Sequence, residues 1–529
     1  MTAAVTRSGG RPTRLAAAAF ALLAATRLAG QTVDTVIVEN ANIFDERDRR
    51  SVARWANAVH VTTSPWVIRR TILLRAGAPY DSARAIESAR ALRELGVFRR
   101  VAIDTLRVDG RLGVRVRTAD GWSTRPSFRF SATDGDATWA LGARESNLLG
   151  SAIALGLQYR RTPDRSGLEL DFLNPHFLTR NVILGLGYRD YTDGRRTEWV
   201  GGRPFRETVA PWALETFGED SRERMLVFRE GALASTDRRY RTVVGMRGGF
   251  ALTATTRNVV RLWGSVLWRR EDYAPDTAGA IPGRSLFLSA GGGLEAIHVR
   301  LRVVEQFDSY ARSEDVDLSQ VLRVGVWAAP RAWGYPGDRA GVGPTFAGQL
   351  STVWHRGFGV LRARGWGVFT GAGLDSGRVE GAVTVASQFL PRQSLIVHVE
   401  GGAAENPAPG GQYDLWDTRR GPRLFGAHVF SGTRRAWAVL EDRIVIADDW
   451  LGLMGVGLAP FLEWGGAWYA SDPQRVGGNA GLALRIGPTR SARASTVEIA
   501  GGWRFGTGWD SHRWALAVRT AFRFADLDP

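Results

Sequence analysis

The residues best suited to chemistry are few and scattered. The seven histidines stand at positions 60, 176, 298, 355, 398, 428 and 512, without metal-ligand spacing and without a His-Glu-x-x-His. No Gly-x-Ser-x-Gly occurs, so the strained elbow of a lipase-type serine nucleophile has no candidate. Asp448-Asp449 reads as a turn rather than a paired carboxylate, and Gly455-x-Gly457 falls inside a strand pattern, where it cannot cradle a phosphate. With no cysteine there is neither thiolate chemistry nor a disulfide, and no site for a lipoprotein anchor. The expectation is a protein that is not an enzyme and that needs no cofactor or metal.

Composition points instead to an exported β protein. The chain has 529 residues, 63 of them glycine and 20 tryptophan, and carries a net charge of +16. All 69 basic residues are arginine. They are spread through alternating stretches rather than gathered in one patch, so no nucleic-acid partner is expected. Arg7, Arg11 and Arg14 precede an apolar run at residues 15–25, followed by Ala29 and Gly30. That run is shorter than the roughly 18–20 residues a membrane-spanning helix needs, and the pattern is that of a secretory leader over residues 1–30.

The elements divide the rest into two parts. Residues 31–50 read as an edge strand or linker, with a β-branched run at 33–38. Residues 51–120 read as a small α+β unit. Ala58-Val59-His60-Val61 suggests a short strand. Ser64-Pro65 starts a helix, and Asp81 caps a second one that ends at Gly96. Val101 and Ile103 alternate in a strand, as do Leu112, Val114 and Val116 after the Asp109-Gly110 turn.

From residue 121 to 525 the pattern changes to period two. Residues 514–524 place Trp514, Leu516, Val518, Phe522 and Phe524 on one face, with Ala515, Ala517, Arg519 and Arg523 on the other. Residues 153–160 and 182–189 follow the same rule. About sixteen such strands, one per roughly 25 residues, predict a transmembrane antiparallel β-barrel, apolar outside and polar inside. Polar stretches at 204–222 and 404–422 read as loops, and residues 526–529 as a short tail. The fold class expected is therefore mainly β, a 16-stranded barrel preceded by one small α+β domain.

Several motifs give this reading a family. "VIRRTILLRAGAPYD" (67–81) and "ESARALRELGVFRRVAID" (87–104) resemble the POTRA domain, with its helix, Gly-x-Pro-Tyr turn and Leu-Arg-x-x-Gly-x-Phe helix end. "RESNLLG" (144–150), "LNPHFL" (173–178), "RLFGAHVFSGTRRAWAVLEDRI" (423–444) and "APFLEWGGAW" (459–468) resemble barrel motifs of the BamA/TamA outer-membrane assembly factors and of the two-partner-secretion transporters. Asn174 stands where Asp is usual in the second of these, and the chain continues past Phe524 where the family ends on an aromatic residue.

The resemblance implies a loop that folds into the barrel lumen, held by an ion pair between a loop arginine and the acid of a Phe-x-Asp-x-Gly strand. Here the acid is Glu463, but the usual arginine position holds Phe425, next to Gly426, and the tyrosine position holds Ala427. Arg423, two residues earlier, is the candidate guanidinium, and Glu441 and Arg443 share a face that would join the same network. The resemblance also implies a client-binding sheet edge in the POTRA-like domain, assigned to Val59, Val61, Leu112, Val114 and Val116. A first-to-last strand seam is implied as well, assigned to Trp514, Leu516, Val518, Phe522 and Phe524. The activity implied is insertion or export of unfolded client proteins at a bacterial outer membrane, with the POTRA-like domain in the periplasm. Its partners would be the client, outer-membrane lipid and periplasmic accessory proteins. The alternatives are a two-partner-secretion-like transporter for one dedicated client and a passive porin-like barrel.

Overall fold

The computed structural model describes residues 31–45, 51–133, 136–276, 283–310, 314–336, 339–415, 421–489, 496–506 and 513–521. The expected leader and tail, together with Phe522 and Phe524, lie outside these residues.

The N-terminal unit is a three-stranded sheet covered by helices. Its elements are β1 (Thr35–Ala41), α1 (Ser51–Val59), α2 (Pro65–Thr71), α3 (Ser82–Glu94), β2 (Phe98–Val108) and β3 (Arg111–Asp120). The sheet order is β1-β3-β2, with β1 parallel and β2 antiparallel to β3. The β-branched run at 33–38 thus supplies an edge strand. Residues 58–61, expected as a strand, instead end α1 and turn toward the barrel, because Ala53 and Ala56 pack at helical spacing on Ile43 and Phe44. Asp81 caps α3 by accepting from the Ala83 N–H at 2.9 Å. Ile68, Ile72, Leu92, Phe98, Val114 and Val116 form the core.

Among the described residues, twenty strands make one antiparallel sheet whose order closes into a barrel, from Thr124–Thr133 to Trp514–Thr520. The sequence pattern predicted sixteen. The excess comes from charged strands that read as loops. Trp212–Arg229, for example, runs through the expected 204–222 loop. Its Glu215, Glu219 and Glu223 point inward and pair with Arg247, Arg241 and Arg239 of the next strand at 3.0–3.1 Å. Phe217 and Ser221 share that inner face, while the outward positions after Leu214 are Thr216, Gly218, Asp220 and Arg222, so the strand loses the apolar alternation that a sequence reader looks for.

Outward positions carry the apolar band. Leu440, Leu462, Leu482 and Leu516 are exposed, whereas Glu441, Glu463, Arg485 and Arg519 at alternate positions are buried inside. That distribution is inverted relative to a water-soluble protein and suits a lipid surround.

The N-terminal unit sits against the turns at one end of the barrel. Ser64 N donates to Gly150 O at 2.9 Å, and the Asn147 amide donates to Thr63 Oγ1 at 3.0 Å. Thr71 Oγ1 meets His176 Nε2 at 3.1 Å. Asn174 folds its own turn by accepting from His176 N at 2.9 Å, a role in which an amide oxygen replaces a carboxylate without loss.

Candidate functional site

Residues 421–433 turn inward from the far end of the barrel and are held by charge. Arg423 donates through Nε to Glu463 at 2.7 Å, through Nη2 to Glu441 at 2.6 Å, and through its backbone N–H to Glu463 at 2.7 Å. Its guanidinium lies 4.0 Å from the Phe461 ring centroid and 3.5 Å from Glu498. Glu441 also accepts from Arg443 at 2.6 Å, and Arg443 continues to Asp308 at 2.8 Å. Arg485 lies 3.5 Å from both Glu441 and Glu498, and Arg519 donates to Glu498 at 3.0 Å.

Four guanidinium groups (Arg423, Arg443, Arg485, Arg519) therefore face four carboxylates (Glu441, Glu463, Glu498, Asp308), and their charges cancel. Each of these side chains is 5% exposed or less. Balance is required here, because a buried unpaired charge costs several kcal/mol.

Beside the charges lies an apolar seat. Leu424 is fully buried on Ala459, Ala483, Ala500 and Ala517, one small residue from each of the last four strands. Small side chains let the loop backbone approach the wall. Ala517, on the same strand as the residues assigned above to a seam, is thus part of the loop's floor, while Trp514 and Leu516 face outward. Phe425 is buried and meets Phe430 edge-to-face at 5.0 Å, in a cluster with Tyr413 and Leu415. It anchors the loop by packing where the family pattern uses charge, and Gly426 is buried in the turn beside it.

A second clamp fixes the loop higher up. His428, in the left-handed region at φ 61°, lies 2.5 Å from Asp414 and 3.0 Å from Asp164, and its ring stacks on Phe228 at 3.5 Å. Burial alone would lower the imidazole pKa. The two carboxylates outweigh it through hydrogen bonds and attraction, and the pKa is pushed up to about 9.

The structure thus brings Arg423, Glu441, Arg443 and Glu463 together. It does not form the assigned client edge. Val114 and Val116 are fully buried on β3, which is the central strand, so β3 offers no free edge. Leu112 lies on the same central strand. Val59 ends α1, and Val61 faces the Gly150 turn of the barrel. Among the described residues, the outer side of β2 is without a strand partner. Sequence reasoning also missed Asp308, Leu424, His428, Arg485, Glu498 and Arg519. For Arg485 a signal existed, since it is the one charge of its strand and stands at an inward position, whereas Glu498 shares the inward face of its strand with Arg504.

No family model and no curated protein matches the chain. Solved structures similar to it include BamA from Haemophilus ducreyi lacking POTRA domains 1-3, at 13% identity and TM-score 0.36, covering 92% of this chain and 84% of that one. CdiB from Acinetobacter baumannii is 10% identical with TM-score 0.45, covering 93% and 74%. CdiB from Escherichia coli is 12% identical with TM-score 0.47, covering 94% and 91%.

Proposed function

We propose that this chain is an outer-membrane insertase or translocase of the BamA/TamA type, handling unfolded client polypeptide. One observation carries the reading: a buried lock of Arg423 with Glu463 and Glu441, set in a cluster whose charges balance, holding an inward loop in a barrel with an α/β unit at its other end. A passive pore needs an open lumen, and a docked loop works against that. The N-terminal unit is a POTRA-like periplasmic domain, and the outer edge of β2 receives the client by strand addition, since a sheet edge presents unpaired N–H and C=O groups. The barrel needs no cofactor, the drive coming from client folding.

Photo-cross-linkers at Arg100, Thr105 and Arg107 of β2, in cells, test this directly. The expected result is adducts with unfolded outer-membrane or secreted polypeptides. Their absence at all three positions, with the barrel inserted, would overturn the reading. Recovery of one dedicated polypeptide would favour the two-partner-secretion-like alternative over general assembly.

A further inference from the structure

The connection between the strands Gly283–His298 and Gln320–Ala329 lies at the end of the barrel that carries the N-terminal unit. It contains an antiparallel hairpin, Leu301–Val304 with Glu314–Asp317. This hairpin does not lie flat at the rim. Val304, Phe307, Val316 and Leu318 pack against Phe358, Val360, Ala386, Ile396, Trp437 and Val439. Those six wall residues point into the lumen, because their strand neighbours Leu361, Val385, Val397 and Leu440 are the exposed outward ones. An apolar stripe on the wet side of a barrel contradicts its usual pattern unless something covers it. The hairpin covers it.

The connection also reaches the next two strands along the wall, Met454–Trp468 and Val476–Pro488. Tyr310 donates from its hydroxyl to Arg485 O at 3.0 Å, and its ring lies on Gly455, where an added Cβ would come within 2.2 Å of it. Glu314 fixes the turn by accepting from Asp308 N, Ser309 N and Ser309 Oγ at 2.5–2.9 Å. Arg302 bonds Gly357 O at 2.6 Å and His355 O at 3.2 Å, tying the base to the rim.

Two further contacts connect it outward. On one side Arg93 of α3 holds Asp315 with both prongs of its guanidinium, at 2.6 and 2.9 Å. On the other side Asp308 accepts from Arg443, which shares Glu441 with Arg423 of the inward loop.

We propose that this hairpin is a plug that closes the lumen from the N-terminal side, and that the Arg93–Asp315 clasp sets its position from the N-terminal unit. Displacement of α3 breaks the clasp and frees the hairpin to leave. Its exit removes Asp308 from Arg443 and so loosens the lock on the inward loop. Both barriers in the lumen then answer to one movement of the unit that meets the client. The inference rests on the membrane-barrel reading above and goes beyond it.

The test uses the full mature chain in planar bilayers, with heat-shifted gel mobility as the check on folding. Replacing residues 301–317 by a short Gly-Ser turn is expected to raise single-channel conductance severalfold. Arg93→Asp is expected to raise the open probability about tenfold, the range of a charge-assisted fork. Arg93→Asp with Asp315→Arg is expected to restore the closed state. In parallel, Val304→Cys, in a chain with no other cysteine, reports plug exit by its labelling rate with a water-soluble maleimide. Labelling should be slow alone and about tenfold faster with Arg93→Asp. Unchanged conductance in the hairpin replacement, or a labelling rate indifferent to Arg93, overturns the plug. A chain that neither inserts nor shows heat-shifted mobility fails at the barrel reading instead.

Discussion

Arg423→Ala should undock the inward loop while leaving the barrel standing. Glu463 is fully buried, and both of its hydrogen bonds come from Arg423, one from the side chain and one from the backbone. Truncation leaves that carboxylate with the backbone N–H alone. Glu441 and Glu498 lose a partner too, but keep Arg443, Arg485 and Arg519. Breaking one side of a buried pair costs about 3–5 kcal/mol. At 1.4 kcal/mol per factor of ten, the docked-to-undocked ratio falls by roughly two to three and a half orders of magnitude. A single cysteine at the half-buried Ala427 reads this as a rise in maleimide labelling, since the chain has no other cysteine. Glu463→Ala should give a comparable rise. The double variant should fall short of the sum by about 2 kcal/mol or more, because the two side chains touch. Heat-shifted mobility must persist in all three. Additive effects, or labelling no faster than in the parent, would refute the lock.

Three other outcomes follow from the same geometry. His428 is raised to about 9 in the folded chain from an ordinary 6.5, so its contribution is full below pH 6.5, falls as pH rises, and is gone above about 9. Ala427→Cys labelling, taken relative to a fully exposed cysteine at each pH so that the thiol's own ionisation cancels, should therefore accelerate between pH 6.5 and 9, and His428→Gln should remove that excess. Leu424→Ala empties the seat on the alanine floor and should weaken docking by about 2–4 kcal/mol, read by the same reporter. Asp120 is fully buried and accepts from Thr63 N at 2.6 Å and Thr63 Oγ1 at 3.0 Å, with His60 Nε2 at 2.9 Å. Asp120→Ala leaves those donors unmet, costs about 2–3 kcal/mol, and should shorten the lifetime of the N-terminal unit under limited proteolysis.

How much of this could be read from the residues depended on range. The barrel was legible because period two needs only neighbours, as at residues 153–160. Arg423 with Glu463 was legible because a motif fixes the loop and the strand separately. Asp308 was not, since nothing in residues 299–319 says that a rim connection folds inward; the partner that reveals it, Arg443, lies 135 residues away. The strand count failed where Glu215, Glu219 and Glu223 made a strand look like a loop. The client edge failed because alternation in Leu112, Val114 and Val116 marks a strand but not its place in the sheet. Here β1 pairs on the far side and makes that strand central. Ala517 carried no signal of its own, since a small inward residue becomes a seat only once Leu424 rests on it.

The most direct measurement of the central claim is the environment of consecutive positions along one strand in proteoliposomes. Spin labels at residues 184–189 of the Ile183–Tyr191 strand would be read with oxygen and with a water-soluble nickel chelate. Leu184, Leu186 and Tyr188 should report lipid, and Gly185, Gly187 and Arg189 should report water, in strict alternation. Uniform accessibility along the six positions, a three-to-four-residue period, or a chain that stays in solution without lipid would contradict the account.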